Sequence, residues 1–139
     1  MKLSSPWMTA LRLGAMALLL GAAAQAQTVR ATIPFDFVAG DKVMPAGEYK
    51  LAMSMRTGLI ELTSIGQDGM YLPAHGCSFG TVENTGALLF HRYGDTYFLK
   101  RVKTAATKEG YEFFPTRRER DTARRNGVFE VAMVTTYGK

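Results

Sequence analysis

Alternation of apolar and polar residues on either side of Thr57-Gly58 is the feature that most constrains the fold of this chain. A period of two is the signature of a half-buried strand, and two such runs joined by a tight turn form a β-hairpin. A two-residue loop at Thr57-Gly58 gives the pairs Met55 with Ile60, Met53 with Leu62, Ser54 with Glu61 and Ala52 with Thr63. One face of this hairpin is then apolar and the other mostly polar, a separation that a shift by one residue would destroy.

Similar alternation predicts further strands along the chain. Val29 to Val38 reads as one long strand, and Pro34 indicates that it is an edge strand or bulged, because proline has no N–H for the ladder. Met70-Tyr71-Leu72 begins a strand that Pro73 weakens, and the residues from Gly76 to Gly86 are typical of a loop. Val128 to Thr135 alternates again and makes a last strand.

A second hairpin is predicted around Gly94-Asp95, between Ala87–Arg92 and Thr96–Lys103. In this register Arg92 faces Tyr97, and His91 faces Phe98. Both faces of the hairpin carry apolar residues, Leu88, Phe90 and Leu99 on one and Leu89, Phe98 and Val102 on the other. The hairpin is therefore expected in the middle of the fold.

Near the C-terminus the period changes to that of a helix. Thr116 and Glu119 have the spacing of a capping box, and Asn126-Gly127 offers a C-cap about three turns later. The sequence thus predicts an all-β, mainly antiparallel fold: a small sandwich or barrel of about seven strands with one short C-terminal helix.

The N-terminus has the three parts of a cleavable signal peptide. Lys2 and Arg12 provide the positive charge, Leu13–Ala24 is apolar, and Ala24-Gln25-Ala26 is a small-x-small cleavage site. An apolar run this short cannot serve as a stable anchor, since a spanning helix needs about 20 residues. We therefore expect export to the periplasm or medium, removal of residues 1–26, and a mature domain of residues 27–139 without a transmembrane anchor.

The charge and cysteine content narrow the possible partners. The precursor has a net charge of +5, and loss of two basic residues with the signal leaves 15 basic against 12 acidic residues, a net charge of +3. That charge is too mild to indicate a polyanion partner by itself. Cys77 is the only cysteine, so an internal disulfide is excluded and a buried, unreactive thiol is expected.

Motifs of catalysis and metal binding are weak in this sequence. Gly76–Gly80 matches G-x-S-x-G with Ser78 at the nucleophile position, but no helical pattern follows, as a nucleophile elbow requires. Cys77, His91 and Asp95 could supply a thiol, a base and an orienting carboxylate if the fold brought them together. His75 and His91 lie 16 residues apart, so the sequence predicts no metal site and no cofactor.

Two segments are candidates for binding. The predicted helix carries Arg117, Arg118, Arg120, Arg124 and Arg125, whose guanidinium groups suit phosphate and carboxylate groups. Asp121 can pair with arginines at i−4 and i+4, and a solvated helix face is the structural alternative. The second hairpin could present His91, Arg92, Tyr93 and Asp95 as a recognition tip. Alternatively, hairpin chemistry alone explains them, with Gly94 at positive φ and Arg92 over the Tyr97 ring.

Three blocks of the chain resemble a family of small exported bacterial proteins that has no assigned function. The blocks are Ile33-Pro34-Phe35-Asp36-Phe37-Val38-Ala39-Gly40, Pro45-Ala46-Gly47-Glu48-Tyr49, and Phe90-His91-Arg92-Tyr93-Gly94-Asp95 with Tyr97-Phe98-Leu99. The resemblance covers most of residues 29–125, and the arginines around Arg117–Arg120 are similar to the family's closing motif. Lys100-Arg101-Val102-Lys103 departs from it. The resemblance implies export and a β-rich fold, and no site residues.

Three hypotheses for function remain at this point. The first is an exported, non-enzymatic domain that binds an anionic or glycan surface of the envelope, or a protein partner. Export makes nucleic acid an improbable target and leaves lipid headgroups, lipopolysaccharide phosphates and acidic polysaccharide. The second is a small hydrolase-like enzyme that uses Ser78 or Cys77 with His91. The third is a structural component of the envelope.

Overall fold

The computed structural model describes residues 27–54 and 56–137. The predicted signal peptide, residues 1–26, lies outside the described residues, as does Met55. In chain order the strands are β1 (Gln27–Ile33), β2 (Phe37–Ala39), β3 (Lys42–Met44), β4 (Gly47–Ser54), β5 (Leu59–Ser64), β6 (Met70–Ser78), β7 (Ala87–Tyr93), β8 (Thr96–Lys103) and β9 (Glu109–Phe113). The helix α1 (Arg117–Asn126) and strand β10 (Glu130–Thr135) follow.

The predicted fold class, all-β and mainly antiparallel with one short C-terminal helix, is confirmed. The strand number was too low, because the described residues form ten strands where about seven were expected. Two of the additional strands, β2 and β3, are only three residues long, too short to show a period. The third, β9, carries Gly110 in a segment whose alternation is weak.

The sheet closes on itself. Hydrogen-bonded neighbours follow the order β1-β4-β5-β6-β9-β8, and β7 then pairs with β8 on one side and β10 on the other. The ring is completed by Arg30 and Tyr137, whose backbone groups exchange hydrogen bonds of 3.0 and 2.8 Å. Within the described residues eight strands thus form a small barrel, one of the two architectures that the sequence allowed. The β2–β3 hairpin joins it through the parallel pair Val38–Phe98.

Strand β6 turns the corner of this barrel. It pairs with β5 up to Pro73 and with β9 from Ala74 onward. The prediction of a loop from Gly76 to Gly86 was therefore wrong for its first three residues, which pair with Tyr111, Gly110 and Glu109. A side chain at Gly110 would lie 2.4 Å from the Phe79 ring and from the Val102 carbonyl oxygen. Glycine thus lets this part of the sheet pack closely, at the cost of the alternation that marks a strand.

The first hairpin has the predicted faces but not the predicted register. Met53, Ile60 and Leu62 are all buried. The pairs are Met53 with Ile60, Leu51 with Leu62, Ala52 with Glu61 and Ser54 with Leu59, two residues away from those expected. A slip of two preserves every inward side chain, so the apolar pattern could not distinguish the registers. The turn decides it, since the Gly58 N–H donates to the Ser54 carbonyl oxygen at 3.2 Å, and Gly58 has a φ of 67°.

The second hairpin confirms the pairs Arg92–Tyr97 and His91–Phe98. Further from the turn, Leu89 pairs with Arg101 and Phe90 with Leu99, which leaves Lys100 as the extra residue of a β-bulge. Val102 therefore pairs with Leu88 and shares its face, contrary to the prediction that placed it with Leu89.

Pro34 ends the first strand instead of bending it. β1 stops at Ile33, and the predicted continuation to Val38 becomes the separate strand β2. The predicted inward residues still reach the interior, which is filled by large side chains that are almost fully inaccessible: Tyr49, Phe37, Phe90, Ile33, Leu51, Met53, Ile60, Leu62, Leu88 and Val102. Since both pieces of the first segment supply this interior, the break changes the path of the chain and not its buried face.

Candidate binding surface

Helix α1 begins and ends where the sequence predicted. The Thr116 hydroxyl accepts a hydrogen bond from the Glu119 N–H at 3.3 Å, and the Gly127 N–H donates to the Ala123 carbonyl oxygen at 2.8 Å. The Glu119 side chain, which a capping box would direct back to the N-cap, points elsewhere. The Glu119 carboxylate is buried against the sheet, where its two oxygens lie 3.2 and 3.3 Å from Lys100 Nζ. This ion pair fastens the helix to the barrel.

The bulge in β8 places Lys100 beneath the helix. Lys100 is 6% exposed and Glu119 7%, so both charges are removed from water and compensate one another. An extra residue in a strand re-aims the neighbouring side chains, which brings the ammonium group to the outer face of the barrel. Neither residue was singled out as a contact from the sequence, because 19 residues separate them.

A small apolar cluster supports the same attachment. Val38, Tyr93 and Phe98 are buried together on the outer side of the barrel, and Ala123 of the helix packs against them. Glu119 and Ala123 are one helical turn apart and define the inward side of α1. Arg117 and Arg124 are two turns apart, on the opposite side of the helix, and point to solvent.

All five arginines of α1 are exposed. Arg117 lies 3.8 Å from Asp121, as the i,i+4 spacing predicted, and Arg120 donates to the Pro115 carbonyl oxygen at 3.2 Å. The expected pair of Asp121 with Arg125 is replaced by a hydrogen bond from Arg125 Nε to the Asp121 carbonyl oxygen at 3.3 Å. Within residues 27–54 and 56–137, no carboxylate lies within 4.0 Å of Arg118, Arg124 or Arg125.

The structure raises the effective charge of this helix face above the sequence count. The segment has five arginines and two acids, but the carboxylate of Glu119 is neutralised by Lys100 on the inner side. Five guanidinium groups therefore face solvent with one carboxylate, that of Asp121. This face is the strongest concentration of like charge that the predicted site residues form.

The tip of the second hairpin is largely occupied by its own contacts. Arg92 Nε donates to the Gly94 carbonyl oxygen at 2.7 Å, and its guanidinium lies 5.5 Å from the centre of the Tyr97 ring. The same group is 3.6 Å from Glu130 and 4.0 Å from Asp95. Hairpin chemistry alone, without a ligand, thus accounts for the position of Arg92. Asp95 is exposed.

His91 and Tyr93 point away from a recognition tip. Tyr93 is buried in the apolar cluster, and burial raises the pKa of its hydroxyl. The His91 ring stacks on Phe129 with centroids 3.9 Å apart, and its Nδ1 lies 4.0 Å from Glu119. Burial, with the positive charges of Lys100 and Arg101, lowers the pKa of His91, and the carboxylate of Glu112 offsets only part of this effect. This shift favours the neutral imidazole, which packs beneath the helix.

The three blocks that carry the family resemblance contact one another. The Asp36 carboxylate of the first block accepts a hydrogen bond from the Ala46 N–H of the second at 2.8 Å. The Phe35 ring of the first block stacks on the Tyr97 ring of the third, with the ring centroids 3.8 Å apart. The Tyr49 hydroxyl donates to the Pro45 carbonyl oxygen within the second block. Packing and turn geometry therefore account for these residues without a ligand.

The candidate nucleophile Cys77 does not converge with its predicted base, His91. Cys77 on β6 pairs with Gly110 on β9, Gly110 pairs with Lys103 on β8, and Lys103 pairs with Ala87 on β7. His91 lies four residues beyond Ala87 on β7. Three strand spacings of about 4.8 Å and four residues of about 3.3 Å put Cys77 and His91 on the order of 20 Å apart along the sheet. Burial raises the pKa of the Cys77 thiol, which disfavours the thiolate.

Concave places for a ligand differ in size. One of about 530 Å³ lies between Lys42–Pro45 and Gly66–Asp68, and its lining is mostly polar. The pocket beside Glu119, bordered mainly by apolar side chains such as Val38, Leu72 and Phe113, has a volume of about 140 Å³. Sites for small organic molecules usually measure about 300–1,000 Å³. Among residues 27–54 and 56–137, no three His, Cys, Asp or Glu side chains gather closely enough to hold a metal ion. The arginine face differs from both concavities in carrying five exposed like charges.

One exposed feature was missed by sequence reasoning. Strand β10 turns Ala132 and Val134 toward the core and leaves Val131 and Met133 on the outer surface, 59% and 66% exposed. In the predicted alternation Phe129, Val131 and Met133 are the apolar set opposite Glu130 and Ala132, but the barrel turns the side of Ala132 and Val134 inward.

Comparison of the chain with protein-family models, with curated proteins and with solved structures gives no match. The part of the chain that the structure describes contains no helix long and apolar enough to cross a membrane.

Proposed function

We propose that this protein is an exported, non-enzymatic domain that binds an anionic component of the cell envelope through the arginine face of α1. The observation that carries the proposal is the arrangement of five exposed arginines and one carboxylate on a helix whose inner face is held by the Lys100–Glu119 pair. Guanidinium groups bind phosphate and carboxylate groups by paired hydrogen bonds, so such a face suits a polyanionic surface.

The attachment of the helix supports a binding role. A helix fixed by a buried ion pair and an apolar cluster presents its outer side chains on a rigid support, which lowers the entropy lost on binding. Arg118 and Arg124 are exposed and take part in none of the described ion pairs, so their guanidinium groups are available to a ligand.

The proposal is tested with two anionic probes and one pair of arginine substitutions. Protein recovered from an exporting host is mixed with polygalacturonate beads and with vesicles that contain phosphatidylglycerol, at several salt concentrations. Binding to at least one probe is expected, and it should weaken as salt is added. Each arginine near an anionic surface contributes about 1 kcal/mol, so Arg118→Gln with Arg124→Gln should weaken binding by about tenfold or more.

The matched control removes two charges from the other side of the barrel. Lys50 is exposed on β4, which lies four places from β8 in the ring of eight strands, and Arg56 is exposed in the turn that follows β4. Lys50→Gln with Arg56→Gln changes the net charge equally and should leave the affinity within about twofold, because the charges are remote from the helix. Equal losses in the two double variants would reduce the effect to net charge and contradict a specific face.

A further inference from the structure

An apolar stripe extends over the outer surface of β10 and the two residues before it: Val128 and Phe129 precede the strand, and Val131 and Met133 lie on it. Their exposed fractions are 82%, 43%, 59% and 66%. Single exposed apolar residues are ordinary, but a contiguous row of large ones is typical of a surface that meets a membrane or another protein. Val131 and Met133 share a face because alternate residues of a strand do, and Val128 and Phe129 directly precede the strand.

The stripe lies beside the C-terminal end of α1. Phe129 stacks on His91, and His91 contacts Glu119 on the inner side of the helix. The helix covers the outer side of the barrel, and Val131 and Met133 project from that same outer side on the strand next to β7. Only Gly127 separates the last residue of the helix from Val128.

The charges around the stripe indicate what it contacts. Arg124 and Arg125, in the last turn of α1, are exposed and lie within four residues of Val128, whereas Glu130 of β10 lies on the alternate face of the strand and pairs with Arg92. An apolar stripe next to a cationic face matches the boundary of an anionic bilayer, in which phosphate groups lie just above the acyl chains. An acidic polysaccharide would complement the arginines and leave the apolar side chains in water.

From this juxtaposition we infer that the anionic component is a phospholipid bilayer, and that Val128, Phe129, Val131 and Met133 enter its headgroup–acyl boundary while the arginines of α1 contact lipid phosphates. The inference rests on the proposed function and specifies the ligand of the same surface. Contact would be peripheral and reversible, since only one short stripe is buried.

Substitutions in the stripe test the inference separately from those in the helix. Val131→Ser with Met133→Ser removes apolar surface without changing charge. Its binding is measured by flotation with vesicles of phosphatidylglycerol and phosphatidylcholine in a one-to-two ratio, and by retention on polygalacturonate beads. The matched control is Tyr71→Ser, because Tyr71 is 64% exposed on β6, four places from β10 in the ring. Circular dichroism and a thermal melt establish that each variant is folded.

We expect the Val131→Ser, Met133→Ser variant to lose about fivefold or more in vesicle affinity, as burial of apolar area contributes to interfacial binding. Its retention on polygalacturonate should not exceed that of the wild type, and Tyr71→Ser should match the wild type on vesicles. Vesicle affinity within twofold of the wild type in the folded stripe variant would overturn the inference. So would a change from dimer to monomer in sedimentation, which would assign the stripe to a second copy of the chain.

The failures of the two proposals give different results. Salt-sensitive binding to polygalacturonate that depends on Arg118 and Arg124, without binding to vesicles, would leave the proposed function intact and refute the bilayer. Absence of binding to both probes would refute the proposed function and the inference together.

Discussion

Lys100 and Glu119 are ionisable residues whose side chains are almost completely buried, and each compensates the charge of the other. Removing one partner of such a pair leaves an isolated charge in the interior, which costs far more than the pair contributes. Lys100→Met should therefore lower the free energy of unfolding by about 3 kcal/mol, measured by urea denaturation. Adding Glu119→Leu should restore most of the loss, because no charge is then left unpaired.

Lys103 provides the matched control for that substitution. It is also buried, but its partner Glu83, 3.0 Å away, is exposed and can be hydrated when the ammonium is lost. Lys103→Met should cost about 1 kcal/mol or less, in the range of surface ion pairs. Equal losses at positions 100 and 103 would mean that the helix is not fastened by its ion pair.

His91 should make stability depend on pH in the mildly acidic range. Burial and the neighbouring Lys100 and Arg101 lower its pKa in the folded protein below the ordinary value of 6.5. As pH falls through 6.5, the unfolded chain takes up a proton before the folded one, so the free energy of unfolding decreases until pH reaches the lowered pKa. Urea denaturation between pH 7.5 and 5.5 should show this decrease, and His91→Phe, which keeps an aromatic ring against Phe129, should reduce it. An equal slope in both proteins would contradict the assignment.

At the scale of elements, the β4–β5 hairpin shows that alternation determines which side chains face inward, whereas the turn determines the register of the two strands. The inward face is the same in both registers, so predictions for its residues survive the two-residue correction. Met53→Lys or Leu62→Lys would bury an unpaired charge and should prevent folding or cost several kcal/mol. Ser54→Lys, on the outer face, should change the free energy of unfolding by about 0.5 kcal/mol or less. Similar melting temperatures for the Met53 and Ser54 variants would show that the faces are wrongly assigned.

The terminal elements show how tertiary contacts redirect local signals. The helix signals at Thr116 and Gly127 predicted the bounds of α1 correctly, because capping involves only nearby backbone groups. The direction of the Glu119 side chain was not predicted, because its carboxylate pairs with Lys100. Lys100 lies in a bulge of β8 that no local sequence pattern indicates. Tertiary contacts also determine which side of β10 is buried. Ala132 and Val134 pack against the barrel interior, and Val131 and Met133 remain exposed.

At the scale of the whole molecule, the export prediction concerns residues 1–26, which lie outside the described residues. Gln27, the first residue after the predicted cleavage site, is also the first residue of β1. We expect the protein recovered from an exporting host to have the intact mass of a chain that begins at Gln27. It should also lack tryptophan emission, because the single tryptophan is Trp7. Recovery of all 139 residues would refute cleavage.

The sequence by itself determined the features that depend on neighbouring residues. Period-two alternation identified the inward faces of the first hairpin, and caps located the helix. The turn at Gly94 correctly predicted the pairing of Arg92 with Tyr97. In each case the physical cause acts within a few residues, through side-chain direction, backbone capping or turn geometry.

Only the tertiary structure decided the rest. An even shift of register leaves an alternating pattern unchanged, so the pairing of Met53 with Ile60 depended on the turn and on the neighbouring strands. Closure of the barrel requires Arg30 to meet Tyr137, more than 100 residues later, and burial of Glu119 requires Lys100 from another element. The stripe on β10 is exposed because a strand has two faces and only one of them can pack against the barrel interior. The apolar residues of the other face therefore remain on the surface.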